Sequence, residues 1–350
     1  MKKPLLLYTH NVNTSFVRKD VALLEKHYTL KKFYFDAKKK PLIPITLMRQ
    51  FFFFLFNIWK AKVMVTQFGG YHSWLPGVFG RLFGKKSLII LGGSDCVSFP
   101  SINYGNFNKK AYGMFTKWSY RLTDHLVPVH KSLVEGPYTY TTDDYPQQGY
   151  KYFVPKVKAG YTVLAYGYDP DMFYSAEEKI PNSFLMVGYL NAPNYYRKGV
   201  DMIFKLANHY PDFTFTIVGA SPEMKYPDPI PSNVTIHNSV PYEQLQEISA
   251  NHEFYLMLSL CEGFPSAICE GMLCECIPIG SDVAAIPEII GDTGFVLKQK
   301  DEKKMIALVE EALNSDRSAL RKAARAKIMR DYPIDNRDKL IKTIERVCQG

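Results

Sequence analysis

The chain has 350 residues, 47% hydrophobic and 22% charged, which excludes an intrinsically disordered or collagen-like protein and suggests two domains. Its formal net charge of +9 is uneven: residues 1–165 carry 24 Lys and Arg against 8 Asp and Glu, whereas the remainder is mildly acidic. A strongly basic first half calls for an anionic partner, for which nucleic acid, an anionic membrane surface and a phosphorylated substrate all qualify.

Taken in order, Leu5–His10 reads as a buried strand and Ser15–His27 as a helix with Val17, Val21, Leu24 and His27 on one face. Leu30–Asp36 is the next strand and Leu42–Lys60 the next helix. Short apolar runs at Val63–Phe68, Ser87–Leu91 and Leu126–Val129 follow. Val154–Asp171, with Pro155, Gly160, Gly167 and Pro170, reads as a linker. The pattern then restarts, with strands at Phe184–Val187, Phe213–Val218, Val234–His237, Phe254–Leu258, Ile277–Ile279 and Phe295–Leu297. Helices at Lys198–His209, Tyr242–Asn251, Pro265–Cys274 and Glu302–Asn314 lie between or after them, and Arg317–Arg330 and Arg337–Val347 close the chain. Strands alternating with helices predict two α/β domains, each a doubly wound, Rossmann-like parallel sheet. The expected boundaries are 1–165 and 166–330, with the chain end from about 331 to 350 packing back on the first domain. Ligands of such sheets bind beyond the carboxyl ends of the strands, here in a cleft between the domains.

The six cysteines form no Cys-x-x-Cys pair, and four lie in one apolar stretch, which predicts small core residues in a reducing compartment. The apolar part of MKKPLLLYTH is too short for a secretory signal. The longest apolar run, Phe51–Trp59, is broken at Asn57 and falls short of the roughly 20 residues that span a bilayer, so no spanning segment is expected. The expected location is the cytoplasm.

The richest segment is Cys261–Leu297, CEGFPSAICEGMLCECIPIGSDVAAIPEIIGDTGFVL. A strand runs into Glu262-Gly263-Phe264-Pro265, and Pro265 suits the first position of a helix that continues through Ser266, Ala267 and Glu270. Glu270 lies about 7.5 Å down that helix from Pro265. One carboxylate thus stands at the helix mouth and one along it, with the free amides and positive dipole end between them, a layout suited to a diphosphate flanked by sugars.

The segment resembles the donor-binding signature of glycosyltransferase family 4, retaining enzymes of the GT-B fold. Two Glu separated by seven residues, Glu262 and Glu270, precede the small-Pro strand Ile277–Ser281, the Ile-Pro-Glu turn Ile286–Glu288 and Thr293–Gly294. The resemblance implies that Glu262 contacts the donor sugar near the reacting carbon. It implies further that the amides of Gly263, Phe264, Pro265, Ser266 and Ala267 border sugar and phosphate, and that Glu270 binds the ribose diol. Val187–Leu190 followed by Arg197–Asp201 resembles the family's Val-Gly-Arg-Leu…Lys-Gly segment, where Arg and Lys hold the diphosphate. Lys198 matches the Lys. The Arg place holds Tyr189, and Arg197 next to Lys198 is the candidate replacement. Ala165–Asp169 with Phe173 resembles the family's Asn-Gly-Val-Asp…Phe linker, Tyr166 standing in the Asn place.

In the first half, IILGGSD (Ile89–Asp95) resembles a family strand ending in His-Gly-x-Asp, with Gly92 in the His place. Asp95 is then expected to touch sugar or acceptor, the alternative being a turn or helix cap. Gly92, Gly93, His72 and Asn13 are acceptor-side candidates, with structural roles as the alternatives. Asp169-Pro-Asp171 mimics a metal-binding Asp-x-Asp, but it lies in the linker. No metal or cofactor is expected, with cations and a helix dipole acting instead.

Lys38–Lys40 precede Leu42–Lys62, which holds Arg49, Phe51–Phe54, Phe56, Trp59, Lys60 and Lys62, a composition suited to insertion at an anionic bilayer surface. The expected function is retaining transfer of a hexosyl or N-acetylhexosaminyl group from a UDP- or GDP-sugar to a glycan or lipid-linked hydroxyl. It would serve cell-surface polysaccharide or glycolipid synthesis at the inner face of the cytoplasmic membrane. A nucleotide-sugar epimerase on the same fold, or a non-catalytic nucleotide-sugar-binding homologue, is the alternative. No basic-aromatic motif or helix-turn-helix supports nucleic acid.

Overall fold

The computed structural model describes residues 3–37 and 39–349, so Lys38 of the basic run lies outside the described residues. Two compact units emerge. The first contains the chain up to Pro137, Gln147–Tyr166 and the chain from Asp335; the second contains Tyr138–Pro146 and Gly167–Ile334.

The first unit is built in order from β1 (Leu5–His10), α1 (Ser15–His27), β2 (Thr29–Tyr34), α2 (Ile43–Asn57), β3 (Ala61–Gln67), α3 (Tyr71–Phe83), β4 (Lys86–Leu91), α4 (Lys110–Leu122) and β5 (His125–Pro128). A two-stranded ribbon, β6 (Gly136–Pro137) and β7 (Gln147–Gln148), follows with α5 (Tyr150–Phe153) and β8 (Gly160–Tyr161). The sheet is parallel, in the order β2-β1-β3-β4-β5-β8.

The second unit holds β9 (Ile180–Leu190), α6 (Val200–His209), β10 (Thr214–Ala220), β11 (Val234–Asn238), α7 (Tyr242–Asn251), β12 (His252–Met257), α8 (Ser266–Leu273), β13 (Ile277–Ser281), α9 (Ile286–Ile290), β14 (Phe295–Leu297), α10 (Glu302–Leu313) and α11 (Arg317–Asp331). Its parallel sheet has the order β11-β10-β9-β12-β13-β14. The closing helix α12 (Lys339–Gln349) belongs to the first unit.

Strands buried on both faces explain the continuous apolar runs. In β1, Leu6 and Tyr8 join one core with Val17 and Leu24 of α1 and Leu340, Ile341 and Ile344 of α12. Leu7 points the other way, into a core with Phe54 of α2 and Leu75 and Phe79 of α3. In the second unit Phe184, Phe215 and Phe254 stack across three neighbouring strands at 4.9–5.0 Å.

Three expectations are corrected. The buried face of α1 is Val17, Asp20, Leu23 and Leu24, whereas His27 is exposed. Asp20 is drawn inward because Arg337 donates to both its carboxylate oxygens, at 2.7 and 2.8 Å. Pro265 caps α8 instead of opening it, with ψ of 104°. Finally, the helical stretch Lys40–Lys60 is 21 residues long, long and apolar enough by length and composition to cross a membrane. The expectation of no such segment fell short because 3-10 turns at each end of α2 extend it past the apolar run.

Candidate functional site

In each sheet the strand order reverses direction beside the first strand, and the crevice at such a switch point is the usual ligand site. In the second unit the switch lies between β9 and β12. The loop after β9 carries Arg197 and Lys198, and the loop after β12 carries Glu262 and Gly263.

Local chemistry fixes both loops. Asn191 caps a short turn by accepting from the Asn194 amide at 3.2 Å. Asn194 Oδ1 then accepts from Arg197 Nε at 2.8 Å. Leu260 N–H donates to the Arg197 carbonyl at 2.8 Å and ties the two loops together. Gly199, at the N-cap of α6, has φ +72°, and a Cβ there would run into the Leu258 carbonyl. Only glycine satisfies both the left-handed backbone and that close approach.

The result is a mostly buried charge cluster. Lys198 Nζ lies 2.6 Å from Glu262 Oε1, and Arg197 Nη1 lies 4.0 Å from the same oxygen. Burial alone would raise the Glu262 pKa, but Lys198 and then Arg197 outweigh it and hold the carboxyl below its usual range. Two cations facing one carboxylate leave an excess positive charge beside the start of α6. Tyr189, in the place where the family carries its Arg, is 61% exposed.

Beyond Glu262, Phe264 packs edge-on against Tyr332 with ring centroids 5.0 Å apart. Ser266 Oγ accepts from Tyr168 OH at 3.0 Å. The first amides of α8 have no acceptor within the helix. Glu270 lines a small pocket with Ala267, Val187, Phe173 and Tyr242. Tyr242 is a contact the sequence did not single out; burial, then the charge of Glu270, raises its phenol pKa. The rest of the Cys261–Leu297 segment is scaffold. A Cβ on Gly280 would run into Ile286, and Thr293 Oγ1 caps α9 by donating to the Ile290 carbonyl at 2.8 Å. Asp169-Pro-Asp171 is a turn in which Asp169 Oδ1 accepts from the Asp171 amide.

In the first unit, Asp95 is buried in a set of scaffold hydrogen bonds, which fits the turn-capping alternative to a ligand contact. Oδ1 accepts from the amides of Gly92 and Gly93 at 3.1 and 2.9 Å. Oδ2 accepts from Gly69 N–H at 3.0 Å and Tyr120 OH at 3.2 Å. Burial raises its pKa, with the amides of Gly69, Gly93 and Gly92 opposing that shift. The carboxylate thus fastens the turn after β3 to the turn after β4. Asp95→Asn would place an amide N–H₂ among these donors, and one unsatisfied buried donor costs about 1–3 kcal/mol. The expected result is a lower thermal midpoint with nucleotide affinity of the folded protein unchanged. A stable variant that binds nucleotide and has lost transfer would instead make Asp95 catalytic.

His72 has surroundings that fit the structural alternative. It is buried, its Nε2 lies 2.7 Å from the Gln67 carbonyl, and burial lowers its pKa to about 4. Gly92 has no room for the family's His, because a Cβ there would run into the ring of Phe68. Phe68 itself holds φ +68°, a strained conformation for a bulky residue that the sequence does not announce. Asn13 is exposed, and Thr14 is the N-cap of α1 with no side-chain capping bond.

Residues 181–315 match the family model "Glycosyl transferases group 1". Among curated proteins, a 129-residue stretch is 26% identical to a component of the phosphatidylinositol N-acetylglucosaminyltransferase of Arabidopsis thaliana, covering 34% of this chain and 29% of that protein. The human counterpart is 25% identical over 128 residues, 34% of this chain and 26% of that one. The chain thus spans less than a third of the length of the curated relatives it matches. Among solved structures, sucrose-phosphate synthase of Thermosynechococcus elongatus superposes with TM-score 0.71 at 14% identity, covering 99% of this chain and 98% of that one. Anabaena HepE in complex with UDP superposes with TM-score 0.65 at 10% identity, covering 99% and 100%. The fold is GT-B, two α/β units with six parallel strands each. The family-model match and these structural likenesses together support the GT-B glycosyltransferase superfamily.

Proposed function

We propose that the protein is a retaining glycosyltransferase of family 4. It moves a hexosyl or N-acetylhexosaminyl group from a UDP- or GDP-sugar to a hydroxyl of a glycan or lipid-linked acceptor. The setting is polysaccharide or glycolipid synthesis in the cytoplasm, at the inner face of the cytoplasmic membrane. The observation that carries this reading is the Arg197–Lys198–Glu262 cluster at the switch point of the second sheet. The UDP bound in HepE and the N-acetylglucosaminyl transfer in the names of the curated relatives support the donor class.

In this mechanism Lys198, Arg197 and the N-terminal amides of α8 neutralise the departing diphosphate. Glu262 orients the sugar through its hydroxyls, and Glu270 accepts from the ribose diol. The acceptor oxygen attacks the anomeric carbon on the face the diphosphate leaves. The carbon–oxygen bond to the diphosphate breaks, and a diphosphate oxygen takes the acceptor proton. The chemistry is metal-independent. In this reading the cations Lys198 and Arg197 and the dipole of α8 carry the charge that a metal would otherwise neutralise.

Calorimetric titration of UDP and GDP into the wild type and Glu270→Ala tests the donor site. Loss of a buried ribose hydrogen bond is expected to weaken the preferred nucleotide about ten- to a hundredfold. Equal affinity in the variant would remove Glu270 from the site. A non-catalytic nucleotide-sugar binder is the second reading, favoured by the engagement of Asp95 and His72 in the scaffold. Tight nucleotide binding without turnover of any donor would establish it.

A further inference from the structure

Helix α2 turns apolar side chains outward as well as inward, where Phe54 joins the core with Leu47, Phe53 and Leu55 packed against it. Its inward stripe is Thr46, Gln50 and Phe54, and Gln50 Nε2 donates to the His72 carbonyl at 2.7 Å. Its outward stripe is Ile45, Met48, Phe52 and Phe56, continued by Trp59, at spacings of three and four residues. Met48 is 55% exposed, Phe56 73% and Trp59 69%. A helix on a water-facing surface does the opposite, turning polar residues out. Leu82 at the end of α3 is also exposed, and its neighbour Phe83 meets Trp59 edge-on at 4.8 Å. Contiguous exposed aromatic and aliphatic side chains on this scale mark a binding surface.

Charge identifies the occupant. Between Asp36 and Asp95 the chain carries nine Lys and Arg and no acidic residue. Arg49 and Lys60 are exposed on α2 and the turn after it, and Lys31 on edge strand β2 donates to Asn57 at 2.5 Å. An apolar stripe rimmed by cations alone is complementary to anionic lipid headgroups over acyl chains.

We propose that the outer face of α2, with Trp59, inserts into an anionic phospholipid bilayer and lies in its plane. Crossing is ruled out by packing. Phe54 is buried against Phe79 at 5.5 Å and Gln50 is bonded into the unit, so lipid cannot surround the helix. This contact stands independently of the donor site, because it uses only the first unit.

The test is sedimentation with vesicles of equal parts phosphatidylglycerol and phosphatidylcholine, against pure phosphatidylcholine, at low salt. The wild type is expected to sediment with the anionic vesicles, and brominated acyl chains are expected to quench fluorescence that is lost in Trp59→Phe. The double variant Phe52→Glu/Phe56→Glu is expected to partition at least about thirtyfold more weakly, with thermal midpoint and UDP affinity unchanged. Wild type left in the supernatant overturns the proposal, as does a double variant that binds equally well. So does a wild-type dimer that the double variant converts to monomer, because a second copy would then cover the face. Failure of UDP to bind would damage the transferase reading and leave this one standing.

Discussion

Replacing Lys198 with alanine is expected to lower the transfer rate about 10²–10³-fold while weakening nucleotide binding far less. Removing one preorganised electrostatic group from an enclosed site has effects of that size. Lys198 is the cation nearest Glu262, at 2.6 Å, and Arg197 at 4.0 Å is the second. In the proposed mechanism the lysine has two tasks, neutralising the diphosphate as it leaves and holding Glu262 ionised. The second gives a distinct readout. Lys198 is the first of the influences that hold the Glu262 pKa down against burial, so its removal raises that pKa. The acid limb of the pH–rate profile is then expected to move to higher pH in Lys198→Ala and to return in Lys198→Arg. A variant with nearly normal kcat and an unmoved acid limb would reduce the pair to a fastening between two loops.

Replacing Asp20 with alanine is expected to destabilise the first unit by about 3–5 kcal/mol, because it leaves a buried guanidinium uncompensated. Arg337 is gripped on every side. Nε and Nη2 donate to Asp20, Nη1 donates to the Leu164 carbonyl at 2.7 Å, and the guanidinium lies 4.7 Å from the Tyr166 ring centroid. The same contacts hold the segment leading into α12, whose Leu340, Ile341 and Ile344 complete the core. Denaturant unfolding should show the loss, and hydrogen exchange should speed up first along residues 335–349. The double variant Asp20→Leu/Arg337→Met is expected to recover most of the stability, since an apolar pair often replaces a buried ion pair at little cost. A loss below about 1 kcal/mol in Asp20→Ala would mean that water reaches the site.

Eleven of the fourteen strands among the described residues were legible in the sequence, most of them because strands buried on both faces are apolar throughout; the two-residue strands β6, β7 and β8 were not. Helices α3 and α4 were not. Tyr71–Phe83 contains Gly77 and Gly80 with Pro76 inside, which read as breakers. In the fold, Gly77 is where α3 meets α4, since a Cβ there would stand 2.8 Å from Leu122 Cβ. The segment Tyr138–Pro146 falls within the expected first domain, 1–165, yet it belongs to the second unit, with Tyr140 buried and its carbonyl accepting from Lys300 N–H.

By itself, then, the sequence determined the alternation of strands and helices, the charge asymmetry, and the Glu262–Glu270 spacing along one loop and helix. These depend on local periodicity and on neighbours within a few residues. Tertiary structure alone decided which polar groups serve the scaffold. Asp95 takes amides from two different turns, Asp20 meets Arg337 across most of the chain length, and the apolar stripe of α2 faces outward because Gln50 finds its acceptor on α3. Those partners are set by strand order and helix placement, and a buried carboxylate becomes structural or reactive according to the donors that reach it.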